Sequence, residues 1–234
     1  MPEPSRAEVV ALKALQELYR ERVGALLIGG YAVSSYSFAR TSVDLDLVID
    51  ARRAARARER LRSLEFAVSK SRRLRGGRYD EGYELWEHDS GARVDLLVGG
   101  VQDRGVAFWM EHGYLARHSE EREIRATFGA APLRGLVATR ELLIALKLQP
   151  FRLVDRRDIF ALCFEPRDST RMKGHLDYVQ APLLAKRFRQ MPAIVRERAF
   201  EDSFKGVYRI ASPRLIGRLK RNLDALVRDA ASDD

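Results

Sequence analysis

LLIGGYAVSSYSFARTSVDLDLVID, residues 26–50, holds the pattern that decides the fold. An apolar run, Leu26 to Ile28, breaks at Gly29-Gly30. A second, Leu45 to Ile49, follows with Asp44 and Asp46 two residues apart. Side chains of a strand alternate between its faces, so Asp44 and Asp46 share one face while Leu45, Leu47 and Ile49 share the other. Two adjacent carboxylates repel one another and are costly unless a cation sits between them. Mg²⁺ answers that need, because it takes carboxylate and phosphate oxygens together. Carboxylate pairs hold one or two such ions, about 3.5–4 Å apart in two-metal sites. A third acid, Asp95 in RVDLLV (residues 93–98), lies in an equally apolar run and joins the cluster if the two strands are neighbours. A strand that turns through Gly-Gly into a helix also offers free backbone N–H groups and a close approach for a phosphate. Ser34 and Ser35 could add a hydroxyl from that helix.

Working outward, residues 5–22 read as a helix, with Val9, Leu12, Leu15, Leu18 and Tyr19 at helical spacing and Ser5 as N-cap. Ala25–Ile28 reads as a buried strand, Tyr31–Phe38 as a short helix and Leu45–Ile49 as the next strand. An arginine-rich helix spans 51–64, with a possible strand over Phe66–Ser69 and a basic loop, SRRLRGGRYD, after it. Strands are expected at Tyr83–His88 and Ala92–Val98 around a DSG turn. A helix is expected over Asp103–Glu111, with short strands around Ile124 and Leu136-Val137. TRELLIALKL and DRRDIFALCF are helical, and so is the remainder from 170 to 232, with Ser212-Pro213 as a cap and first-turn proline. The expected fold is α+β: a small mixed sheet flanked by helices over residues 1–138, then an all-helical region over 139–234.

The chain has 234 residues, 46% of them apolar and 32% charged, enough for one large domain or two small ones. It lacks an 18-residue apolar run and a signal-peptide core, so a cytoplasmic protein with no membrane partner is expected. Cys163 is the single cysteine and sits in IFALCF, where it reads as a buried hydrophobe. The four histidines have no metal-ligand spacing. The formal charge of +9 suits a polyanion partner but also fits a merely arginine-rich composition.

IGG at 28–30, DLD at 44–46 and VDL at 94–96 together resemble the nucleotidyltransferase superfamily of the polymerase-beta type. ELLIALKLQPFRLVDRRDIFAL, residues 141–162, further resembles the AbiEii-type abortive-infection toxins, in which a Leu-Lys-Leu helix precedes an Arg-(Lys/Arg)-Asp that opens another helix. Lys147, Arg156, Arg157 and Asp158 occupy those positions. The resemblance implies transfer of a nucleoside monophosphate from an NTP, with release of pyrophosphate. Asp44 and Asp46 would hold Mg²⁺ (or Mn²⁺), and Asp95 would hold a second ion or act as base. Gly29, Gly30, Ser34 and Arg157 would bind the nucleotide, Lys147 would reach the β- or γ-phosphate, and Asp158 would orient Lys147 or touch the acceptor. The helical region would complete the nucleotide site. Lys147 has a structural alternative, an ion pair with Asp155 or Asp158.

For the acceptor, residues 51–78 carry eleven Lys or Arg against two acids, with Tyr79, Tyr83 and Trp86 following. Basic side chains near aromatics suit a nucleic-acid backbone and stacked bases, although a basic run is more often a solvated helix face. RNA, and transfer RNA in particular, is the acceptor the toxin resemblance implies, with an antitoxin protein as a further partner. The alternatives are an aminoglycoside-type small-molecule transferase, an inert interaction module of the same fold, and a metal-dependent hydrolase.

Overall fold

The computed structural model describes residues 5–38, 42, 44–73, 82–103, 108–124, 133–165 and 168–231. The chain divides into two compact units: residues 1–35, 41–102 and 109–138, and residues 36–40, 103–108 and 139–234.

The first unit is built on a seven-stranded sheet. Its strands are β1 (Leu26–Ile28), β2 (Asp44–Ile49), β3 (Ala67–Arg73), β4 (Gly82–Glu87), β5 (Arg93–Val98), β8 (Ser119–Ile124) and β9 (Leu133–Ala138), in the order β3-β4-β5-β2-β1-β9-β8. β2 runs parallel to β5 and β1 parallel to β9, while the remaining neighbours are antiparallel. The sheet is therefore mixed. The strands richest in Leu, Ile and Val occupy its centre, as burial on both faces requires. Leu26, Leu27, Leu45, Leu47, Val48 and Ile49 are all fully buried.

Helix α1 (Arg6–Arg20) begins where the Ser5 hydroxyl accepts a 3.1 Å hydrogen bond from the Glu8 amide. Its Leu12, Leu15 and Leu18 are buried, and it packs against β2, β9 and α3 (Ala54–Ser63). Helix α2 (Gly29–Tyr36) leaves β1 directly.

The expected helix over Asp103–Glu111 is not there. β6 (Gly100–Asp103) and β7 (Phe108–Glu111) form a separate two-stranded sheet, and residues 104–107 lie outside the described residues. The run FWME hides an alternation of two: Phe108 and Met110 are buried while Trp109 and Glu111 are exposed. A Cβ on Gly100 would come within 2.3 Å of the Met110 carbonyl oxygen, so glycine admits this close pairing. Helix α4 (His112–Arg117) follows. Edge strand β8, SEEREI, runs longer than expected. Its charges leave only Ile124 fully buried, a composition that protects an edge from further pairing. Of the basic loop or hairpin expected over residues 71–80, residues 71–73 belong to β3 and residues 74–80 lie outside the described residues.

The second unit is helical: α5 (Arg140–Leu148), α6 (Leu153–Leu162), α7 (Ser169–Val179), α8 (Pro182–Ile194), α9 (Arg198–Tyr208) and α10 (Pro213–Ala231). Asp168 caps α7 by accepting from the Arg171 amide at 2.9 Å. Gln180 and Arg209, both left-handed at φ 50° and 54°, end α7 and α9. α10 packs against α6, α7 and α8 through Ile216, Leu219, Leu223 and Leu226. Phe160 of α6 meets Phe200 and Phe204 of α9 edge-on at 5.9 and 4.8 Å. Cys163 is buried, as its apolar surroundings lead one to expect.

The sheet centre should dominate stability. Leu47→Ala is expected to cost about 2–5 kcal/mol by urea unfolding. Leu153→Ala, at a side chain 43% exposed, should cost less than about 0.5 kcal/mol.

Candidate active site

The register of the sheet sets the acidic cluster. Asp46 and Asp95 are direct partners across the parallel β2/β5 pair, so their side chains rise from the same face. Asp44, two residues before Asp46, shares that face. β2 shows the expected alternation here: Asp44 and Asp46 are partly exposed, while Leu45 and Leu47 are buried. In the antiparallel β1/β2 pair, Asp46 lies opposite Ile28, the residue before Gly29. Gly29 takes φ +72°, and a Cβ there would stand 1.8 Å from the Asp46 Oδ2. Only glycine allows the first turn of α2 to come this close to the carboxylate. Gly30 continues that turn, and Ser34 stands half-buried one turn further on.

These carboxylates are held under strain of charge. Burial pushes the Asp95 carboxyl above its ordinary value, and Asp44 pushes in the same direction; a hydrogen bond from Tyr83 and the charge of Arg93 oppose them. The Tyr83 hydroxyl donates to Asp95 Oδ1 at 2.6 Å. Burial, Asp95, Asp44 and Asp46 raise the phenol's own pKa, so it stays a proton donor. Tyr83 is thus a positioning residue for Asp95. The sequence offered it only as an aromatic near a basic run, because its diagonal reach across β4 and β5 depends on register.

The residues fit a hard divalent cation. Asp44 Oδ1 is buried without a hydrogen-bond partner among the described residues, a costly state for a carboxylate oxygen that a metal would relieve. Among the described residues no three acidic, histidine or cysteine side chains close on one point as a finished cage. Mg²⁺ takes one or two carboxylates and completes its shell with water and substrate phosphate.

The second unit carries the other predicted residues. Lys147 of α5 ion-pairs with Asp158 at 2.9 Å and Asp155 at 3.3 Å, both fully buried. Asp155 also accepts from the Arg152 amide at 3.0 Å and from its guanidinium at 2.8 Å, closing the first turn of α6. Asp158 Oδ1 accepts from the Tyr208 hydroxyl at 2.7 Å. The alternative for Lys147, a buried ion pair, is therefore realised with both aspartates. Arg157 bonds the Ser203 hydroxyl at 3.2 Å and joins α6 to α9. Tyr208 and Ser203 carried no sequence signal, since each comes from about fifty residues downstream.

The arginine helix is largely committed within the protein. Arg52 pairs with Asp50, Arg56 with Glu21, Arg58 with Glu84 and Arg60 with Glu17. Arg53 bonds the Arg22 carbonyl, and Arg62 lies over the Trp86 ring at 5.6 Å. Trp86 is fully buried, with its indole N–H on Glu84 at 2.9 Å, and so offers no platform to a base. Tyr79 lies outside the described residues. Among the described residues, four of these arginines pair with neighbouring acids and Trp86 fills the core.

No protein-family model and no curated protein matches this chain. Solved structures do. A candidate nucleotidyltransferase from H. pylori is 12% identical, with 98% of this chain and 97% of that one covered at a TM-score of 0.50. JHP933 from Helicobacter pylori is 13% identical over 96% of this chain and 91% of that one, at 0.48. The lincosamide antibiotic adenylyltransferase LnuA, in its lincomycin-bound form, is 14% identical over 69% of this chain and 98% of that one, at 0.43. The mixed seven-stranded sheet with flanking helices is a nucleotidyltransferase fold.

Asp95→Asn is expected to raise the melting temperature at pH 7.5. Asp95 has a raised folded pKa, so the unfolded chain ionises first as pH rises, and stability falls until the folded group ionises too. Below about pH 4 the wild type loses this penalty, and the two proteins should converge. A lower melting temperature for Asp95→Asn at pH 7.5 would contradict the crowding. In the second unit, Lys147→Met should cost about 3–5 kcal/mol by leaving buried aspartates uncompensated. Adding Asp158→Asn should recover part of that loss in urea unfolding.

Proposed function

We propose that this chain is a metal-dependent nucleotidyltransferase that moves a nucleoside monophosphate from an NTP to an acceptor hydroxyl and releases pyrophosphate. The observation that carries the proposal is the acidic face of β2 and β5. Three aspartates share it, Gly29 packs against one of them, and one buried oxygen has no hydrogen-bond partner among the described residues. Asp44 and Asp46 would hold Mg²⁺ or Mn²⁺, with Asp95 as a further ligand or as the base that receives the acceptor's proton. When bound, the metal supplies charge neutralisation for the phosphate oxygens, the larger part of catalysis in phosphoryl chemistry. Gly29 and Gly30 present backbone N–H groups to a phosphate. Tyr83 keeps Asp95 turned towards its neighbours.

In the helical region, Lys147 has three N–H donors, and its two aspartates engage two of them. The remaining donor is the one available to a β- or γ-phosphate oxygen, while Asp158 and Tyr208 fix the ammonium's direction. Arg157 and Ser34 complete the proposed nucleotide contacts. In this proposal residues 1–138 form the catalytic core and 139–234 the helical domain that finishes the nucleotide site.

RNA, with transfer RNA preferred, is the proposed acceptor, supported by the charge of +9. The resemblance of residues 141–162 to AbiEii-type toxins supports a role as the toxin of a toxin–antitoxin pair acting in the cytoplasm. No helix among the described residues is long and apolar enough to cross a membrane.

The test is incubation with each α-³²P-labelled NTP, Mg²⁺, and RNA, protein extract or an aminoglycoside. Label in RNA is the expected result. Label only in the aminoglycoside would move the proposal to a small-molecule transferase. No label in any acceptor, with no Mg-NTP binding, would leave an inert module of the same fold. Asp46→Asn should lower transfer by at least about a hundredfold with an unchanged circular dichroism spectrum.

A further inference from the structure

Arg56, Arg58 and Arg60 of α3 are each paired with an acid, which leaves the exposed arginines of the last helix to be considered. Arg214, Arg218, Arg221 and Arg228 of α10 are all exposed. At 100° per residue they fall within an arc of about 80°, in a row some 20 Å long. The buried Ile216, Leu219, Leu223 and Leu226 form the opposite side.

Three features set this row apart from an ordinary solvated helix face. First, among the described residues Arg214 and Arg221 have no acidic partner, while Arg218 lies over the Phe164 ring at 4.6 Å. The acids of α10 stand near its C-terminal end, where Asp224 pairs with Arg196 and Asp229 with Arg228. Second, Arg214 and Arg218 are four apart and Arg218 and Arg221 three apart, spacings at which like charges destabilise a helix. Third, the first turn of α10 holds Arg214 and no acid, the reverse of what the helix dipole favours. A row selected for helix stability would carry glutamate at these places. Its electrostatic cost is offset when a chain of phosphates lies along it, and the positive end of the helix dipole then adds to the attraction. Arg209, exposed just before α10 and also without an acidic partner among the described residues, extends the row.

We propose that the arginine row of α10, from Arg209 to Arg221, is the docking surface for the phosphate backbone of an RNA. This names the acceptor-binding surface of the proposed transferase and rests on that function only for its biological purpose, because docking requires neither NTP nor metal.

The experiment measures binding of fluorescent mixed tRNA to the full chain by anisotropy, in EDTA and without NTP. It compares Arg214→Gln/Arg221→Gln with Lys70→Gln/Arg72→Gln, an equal loss of charge on the exposed strand β3. The α10 variant should bind about tenfold more weakly near 0.15 M salt, with the slope of log K against log salt reduced by about 1–2. Its melting temperature should hold or rise, where a stabilising solvated face would lower it. The β3 variant should stay within about twofold. Equal weakening of both variants would reduce the effect to net charge, and weakening of the β3 variant alone would move the surface to the sheet edge; either overturns the proposal. So would binding to phosphatidylserine vesicles with none to tRNA. Loss of tRNA binding in the α10 variant, together with no nucleotide transfer by the wild type, would keep the docking surface and remove the transferase.

Discussion

The parallel pairing of β2 with β5 is the constraint on which the first unit turns. It puts Asp46 and Asp95 side by side, with Asp44 on the same face. Because side chains in a strand alternate strictly, a slip of one residue would bury these carboxylates against the leucines and expose the leucines instead. The register is secured from the other face, where Leu45, Leu47, Val94 and Leu96 are fully buried. The core therefore holds together three like charges that would separate if free to do so. Burial first, and the charge of Asp44 second, push the Asp95 carboxyl above its ordinary value.

The second unit solves the opposite problem. Lys147 stands among the leucines of α5, and two buried aspartates meet it. One lysine between two carboxylates leaves excess negative charge, which Arg152 takes up at Asp155 and the Tyr208 hydroxyl at Asp158. Lys147 comes from α5, both aspartates from α6 and Tyr208 from α9, so the ion network also ties these three helices together. Structural and catalytic roles for Lys147 are compatible on these terms. An ammonium fixed by two carboxylates is pre-oriented for a third oxygen, provided one donor stays open.

Much of this was legible in the sequence, and the limits follow from physics. β1, α2 and β2 were readable because hydrophobic period, the Gly-Gly break and the paired acids agreed with one another. That Asp95 could join Asp44 and Asp46 was readable as a possibility, but only strand pairing makes it a neighbour. The strand pair at residues 100–111 was not readable. Phe108, Trp109 and Met110 are all apolar, and their alternation appears only once Phe108 and Met110 face inward. Tyr83 and Tyr208 were invisible as partners of Asp95 and Asp158, because a tyrosine's hydrogen bond is set by tertiary contact rather than by any local pattern.

The arginines show most clearly why composition understates structure. Counted along the chain, the segment around α3 is the most basic stretch and the natural place to seek a polyanion. Folded, much of its charge is locally paired, since Glu17, Glu21, Asp50 and Glu84 meet four of its guanidinium groups and Trp86 takes another against its ring. α10 is less basic by count, yet its charge is less cancelled. What a distant phosphate senses is the unpaired remainder, because a paired guanidinium and carboxylate present little net field beyond a Debye length of about 8–10 Å. Net charge is a property of sequence, whereas available charge is a property of the fold. On α10, Arg214 and Arg221 keep theirs, exposed and without an acidic partner among the described residues.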